Sequence, residues 1–377
     1  MSVLKKNRFK IVCGSFLLAG SILLTIINMI ANKGVKITEW NNFYNENNIV
    51  FFYEELPDEK IELLNLTYKI QEKIADSDTE LDKVIKAIDL AKSISTIDIM
   101  DNTGLNNGYD ILDRNRHSSK SSFKDFAIIS RDFINSLGIT SRIGVFRKGN
   151  TEHHSDIEYY VLEYWSTEYN KWVMVDVKYG GYFEYNNEKL SSVEVINSDM
   201  NKVSYIGNTS QHDYKKNIVK YFDSYSVAIE NSAQKKRSNC NVTYVKNDSA
   251  VEYKIKDSFA PPTVFTKETK LFEKSPFDKL VGTDEKAYIL VCGAISNTQD
   301  KPEENKKVEE KNSKENSVLI AAFKEDKVLK SFYLNVNGQG YEEVDENKEI
   351  ELRKGENIFE LSLDGQNTMS SVTIEKR

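Results

Sequence analysis

Cysteine and histidine are scarce in this chain, with 3 and 4 copies in 377 residues. Zinc-finger frameworks and disulfide-dense scaffolds are thereby excluded, because both need clustered ligands or paired thiols. An excess of positive charge is also lacking. Lys+Arg total 51 against 58 Asp+Glu, a net charge of −7. A dedicated nucleic-acid binder would carry a basic stripe instead, so no nucleic-acid partner is expected. Hydrophobic residues at 40% and charged residues at 29% exclude global disorder. At roughly 100–200 residues per domain the length allows two or three domains.

One long uncharged run is present. Ile11–Ala31 has no charged residue and, as a helix, would cross a hydrocarbon core of about 30 Å. Lys5, Lys6, Arg8 and Lys10 precede it, and the first acidic residue is Glu39. The positive-inside rule then predicts a cytoplasmic tail (1–10), a transmembrane anchor (11–31) and an exported remainder, a single-pass protein of the cell membrane. A cleaved signal peptide is the rival reading; its apolar stretch usually spans about 7–15 residues and ends at a small-residue site. Cys13 opens the apolar run rather than following it, so a lipid-anchored cysteine is not indicated. Without the four cations of the tail, 47 Lys+Arg face 58 Asp+Glu, a balance of −11. Composition therefore does not suggest a strongly anionic partner, although a local basic patch would not register in it. Cys240 and Cys292 are either a disulfide pair or two buried thiols.

Residues 32–58 read as a polar and aromatic spacer. Helical spacing of apolar residues predicts helices over Leu63–Ile74 and Leu81–Ile94, the second preceded by capping residues Asp76 to Thr79. A turn-rich stretch, DNTGLNNGYD (101–110), leads to a third helix from Phe123 to Leu137, stopped by Gly138. The pattern then changes to strands at SRIGVF (141–146), EYYVLEYW (158–165) and KWVMVDV (171–177). The polar stretch AQKKRSNC (233–240) suggests a boundary. Beyond it, 241–377 looks all-β and sandwich-like, with a solvated polar loop at 296–316. The expected fold class is α+β: a transmembrane helix, an α+β domain over 59–240 and an all-β domain over 241–377.

Four pieces in order carry a resemblance: FKDFA (123–127), SLGITSR (136–142), YYVLE (159–163) and WVMVD (172–176), with GYDIL (108–112) ahead of them. Together they resemble the bacterial transglutaminase-like domains of the cysteine-protease-like superfamily. That family reads G-x-C-x-[DE]-[FY]-A, a helix ending L-G-I-P-A-R, then H-x-W-x-E and W-x-x-V-D-P. The resemblance covers about 75 residues well. It implies that Phe123 stands at the nucleophile position, Tyr159 at the base position and Asp176 at the position of the orienting acid, with Ser121 replacing the glycine before the nucleophile. A phenyl ring cannot attack a carbonyl, and a phenol of pKa about 10 is a poor base at neutral pH. The resemblance thus implies a pseudoenzyme with no catalytic residues.

Other residues offer other chemistry. His153 and His154 with Ser119, Ser121 or Ser122 could form a serine hydrolase site, or they are a polar loop and N-capping serines. Adjacent histidines point different ways, and no third ligand has the right spacing, so no metal and no cofactor are implied. Tyr164, Trp172, His153 and His154 are candidates for contacts in a remnant cleft. The aromatic run Tyr159–Tyr185 is either a sugar-stacking platform or the two faces of a half-buried sheet. The expected function is a membrane-anchored, exported protein with a binding or structural role at the bacterial cell surface, the partner being a peptide or cell-wall glycan. The alternatives are a surface hydrolase using a Ser/His pair, and a wall- or glycan-binding adhesin working through the C-terminal β domain.

Overall fold

The computed structural model describes residues 35–40, 49–148, 158–235, 237–238, 240–246, 251–253, 263–278, 287–293, 317–324 and 327–376. The expected anchor at 11–31, His153, His154 and the polar loop 296–316 lie outside these.

Helices form where apolar spacing and caps coincide. They are α1 (Glu59–Tyr68), α2 (Ile70–Ile74), α3 (Glu80–Ile94), α4 (Gly108–Asn115) and α5 (Phe123–Asn135). Asp58, Thr79, Asn107 and Ser122 accept hydrogen bonds from first-turn amides at the starts of α1, α3, α4 and α5. In α3 the buried Val84, Ala87, Ile88 and Ala91 fall at helical spacing and form one face. α4 begins inside the stretch that reads as turns. Its first amide, on Gly108, donates to the buried Asp132 carboxylate of α5 at 2.6 Å. A Cβ at Gly108 would lie 3.0 Å from the Ile129 Cα, so glycine is what lets the two helices approach.

Strands β1 (Ser141–Arg147), β2 (Glu158–Ser166) and β3 (Lys171–Val175) form an antiparallel meander. Successive side chains of a strand face opposite sides, and both sides are covered here. Leu162, Tyr164, Val173 and Val175 pack with the helices, whereas Tyr159, Val161 and Met174 join a second core with Phe183, Val193 and Tyr214. On the other flank β1 pairs with β4 (Ser224–Ala228), which pairs with β5 (Asn241–Val245). The sheet continues through Thr263–Thr266, Tyr288–Gly293, Ser317–Lys324 and Lys327–Val328, a path of nine strands. A second sheet of six strands includes Val35–Trp40, Ser331–Val336, Gly355–Ser362 and Ser370–Lys376. It packs on the far end of the first through Ile37, Phe332, Phe359 and Ile374 against Phe265, Ile289 and Ile320.

The α+β expectation with a transmembrane helix is therefore corrected: the described chain is mostly β with few helices, and no described helix is long and apolar enough to cross a membrane. Strands on either side of 233–240 belong to one sheet, because Ala228 pairs with Asn241 and Ser224 with Val245. The polar stretch 233–240 belongs to the connection between β4 and β5, where Arg237 is held by Glu230 and Lys235 by Glu55. Part of the expected spacer is also built in. Val35–Trp40 pairs with Ser370–Lys376, Ile49 and Phe51 are buried, and the Phe52 amide donates to Ile229 O at 2.8 Å.

Candidate functional site

Phe123 is the first residue of α5, Tyr159 is the second of β2, and Asp176 directly follows β3. The meander and the helix start bring all three together. The Phe123 and Tyr159 rings meet edge-on with centroids 5.3 Å apart, and Tyr160 lies 5.4 Å from Phe123 on the strand's other side. The Tyr159 hydroxyl donates to Asp176 Oδ2 at 2.5 Å. Tyr214, from the helix Gln211–Ile218, donates to the same oxygen at 2.7 Å. The amides of Lys178 and Tyr179 donate to Oδ1, each at 2.7 Å. Asp176 is fully buried with all four donors in place, as a buried carboxylate requires.

This cluster has little means of moving protons or attacking a carbonyl. Burial, reinforced by Asp176, pushes the Tyr159 phenol far above its ordinary value, so it stays protonated and donating at neutral pH. Burial also raises Asp176, against the pull of Tyr159, the Tyr179 amide, Tyr214 and the Lys178 amide. Tyr205 stacks on Tyr214 at 3.7 Å and donates to Gly180 O. Tyr221 lies 5.2 Å from Tyr159. Aromatic side chains therefore occupy the space around the acid. Phe123 is half-buried at the edge of this packing, with Lys178 Nζ 5.8 Å from its ring centroid.

The frame residues of the same motifs are paired as well. Arg142 and Glu163 face each other across β1 and β2, both fully buried, with Nε donating at 2.8 Å and an Nη–oxygen distance of 2.7 Å. Arg142 also donates to Phe272 O and to the Tyr53 hydroxyl, and it lies 4.0 Å from the Trp172 ring. Glu163 accepts from the Ser192 amide at 2.7 Å and the Tyr225 hydroxyl at 2.6 Å. Burial opposes the charge on Arg142, but Glu163 together with Tyr53 and Tyr225 outweighs it and holds the guanidinium above its usual range.

The other sequence candidates fall elsewhere. Trp172 is fully buried and its Nε1 donates to Lys274 O at 2.8 Å, so it is core. Tyr164 is buried on the helix-covered side of β2, away from Asp176. Ser121 Oγ bonds Ser95 Oγ at 2.7 Å, and Ser122 Oγ caps α5. Of the serines considered as nucleophiles, Ser119 alone is exposed. His153 and His154 lie outside the described residues, so a Ser/His couple has no geometry to assess. Among the described residues no group of three His, Cys, Asp or Glu side chains could hold a metal ion. Tyr214 was not foreseeable: it lies 38 residues beyond Asp176 in a polar helix whose spacing gives no hint of the contact.

No protein-family model matches the chain, and no curated protein matches it. The resemblance to transglutaminase-like domains thus rests on the motif residues at 108–112, 123–127, 136–142, 159–163 and 172–176. Among solved structures, one described as a "putative protease" from Parabacteroides distasonis ATCC 8503 aligns at 11% identity, with a TM-score of 0.24. The alignment covers 84% of this chain and 52% of that one, so this chain spans about half its length. A likeness that low carries no argument about function.

Proposed function

We propose that this chain is a non-catalytic protein with a transglutaminase-like frame, serving a binding or structural role toward a peptide or glycan. The observation that supports this reading is the convergence of Phe123, Tyr159 and Asp176 at one place. A nucleophile, a base and an acid would stand there in the family, yet only the acid remains. Its carboxylate is saturated by two phenols and two amides. The Arg142–Glu163 pair, drawn from the same motifs, supports the reading that the frame has been kept.

The test is an assay of peptide hydrolysis and of amine incorporation into glutamine peptides, with unmodified protein and Asp176→Ala side by side. No turnover above background is expected from either. Turnover by the unmodified protein that disappears in Asp176→Ala would overturn the reading.

A further inference from the structure

We propose that the rim of the closed site binds an anionic polysaccharide, with Lys148, Lys178 and Lys220 supplying the charge and Phe123, Tyr160 and Tyr179 the sugar-facing rings. This deepens the binding role of the non-catalytic frame and rests on that reading.

Four lysine–ring contacts meet around the site. Lys178 Nζ lies 5.8 Å from the Phe123 centroid and 5.4 Å from that of Tyr179. Lys148 and Lys220 lie 4.7 Å and 5.2 Å from the same Tyr221 ring. Tyr221 packs on Tyr159, which packs on Phe123, so the buried Tyr159 and Tyr221 rings link the two lysine groups from beneath. The two ammonium groups over Tyr221 are held within about 10 Å of each other, close to the screening length of about 8 Å at physiological salt, so they act on the same stretch of surface. Among the described residues, Glu158 and Asp176 are committed to other donors. Glu158 accepts from Arg147 at 2.9 Å and from the Tyr160 hydroxyl at 2.5 Å. Asp176 is saturated from within, and Asp223 is an exposed acidic residue next to Arg147. Among the described residues none of the three lysines is in an ion pair. A face of this kind is concealed in a chain whose overall charge is −7.

The chemistry selects the ligand. Phe123, Tyr160 and Tyr179 are half-buried and leave part of each ring open, the form in which aromatics pack against the C–H face of a sugar. Lysines act as point charges without the fork that matches a single carboxylate. Arg147, a guanidinium nearby, is tied to Glu158 and Ser226. Dispersed sulfate, phosphate or carboxylate groups along a sugar chain fit such spacing.

Binding of a labelled dextran sulfate oligosaccharide by the full chain, at physiological ionic strength, tests this. Unsulfated dextran and poly-glutamate of matched length are the comparison probes. Lys148→Gln/Lys178→Gln/Lys220→Gln is compared with Lys202→Gln/Lys330→Gln/Lys354→Gln, which removes equal charge from exposed positions elsewhere. The expected result is binding of dextran sulfate, weakened roughly tenfold or more by the first triple and unchanged by the second. Poly-glutamate should bind more weakly, and dextran not measurably. Equal loss in both triples, equal binding of poly-glutamate, or no binding of dextran sulfate would each overturn the proposal. Peptide turnover, by contrast, would overturn the non-catalytic reading and leave this binding result standing.

Discussion

Replacing Arg142 by Met removes the guanidinium and leaves its surroundings in place. Glu163 is then a fully buried carboxylate with only the Ser192 amide and the Tyr225 hydroxyl to satisfy it. Removing one partner of a buried ion pair costs about 3–5 kcal/mol, because the remaining charge has no compensation and no water. The Phe272 carbonyl and the contact with Trp172 at 4.0 Å are lost in addition. These effects overlap and do not sum, so the expected loss stays near the top of that range. Arg142→Lys keeps a charge beside Glu163 but cannot reach Phe272 O and the Tyr53 hydroxyl together, nor stack flat on Trp172. Its loss should be about half as large. Urea unfolding followed by tryptophan fluorescence reads both, with Trp172 reporting the site itself. A loss under about 1 kcal/mol for Arg142→Met, or equal losses for the two variants, would refute the reasoning.

Three further outcomes are expected. Tyr159→Phe removes one of four donors to the buried Asp176 and should cost about 1–3 kcal/mol in the same unfolding measurement. Glu54, whose carboxyl accepts from the Ala233 amide at 2.5 Å, is pushed up to about 7 by burial. A carboxyl raised on folding favours the protonated form, so its contribution to stability is full below about pH 4.5 and is lost as pH rises to about 7. Glu54 is partly exposed, so the swing is discounted to about 1 kcal/mol, and a pH series of urea midpoints should flatten over this window in Glu54→Gln. Gly144→Ala places a Cβ on the Tyr225 hydroxyl that bonds Glu163, and thermal unfolding should register about 1–3 kcal/mol of overpacking.

Local elements were legible where one physical signal sufficed. Apolar residues three and four apart mark α3, and a run of aromatic, valine and leucine residues marks β2. The motifs also placed Phe123, Tyr159 and Asp176 in one site, since strand and helix starts fix where those positions point. What stayed hidden depends on distant partners. α4 grows from a polar stretch because Asp132, 24 residues on, receives its first amide. The stretch 233–240 has the composition of a linker, but its Arg237 and Lys235 are spent on Glu230 and Glu55 at the end of a hairpin. Trp172 and Tyr164 looked like cleft residues because composition does not reveal that β2 and β3 are covered on both faces. The uncharged run at 11–31 gave the reading of a membrane anchor, and no described helix supplies one.

The central claim is that the frame of a nucleophilic site is retained and its reactive groups are absent. Restoring them in Phe123→Cys/Tyr159→His is the direct test. The thiol would sit at the start of α5, and the imidazole would take up the Asp176 hydrogen bond now made by Tyr159. Alkylation of residue 123 by iodoacetamide, followed by mass spectrometry of its peptide across pH 5–9, measures thiolate formation. The account predicts labelling that persists to lower pH in the double variant than in Phe123→Cys alone, where only the start of α5 and the nearby Lys178 favour the thiolate over the ordinary thiol pKa of about 8.5. Identical pH profiles for the single and double variants, in protein that remains folded, would contradict it.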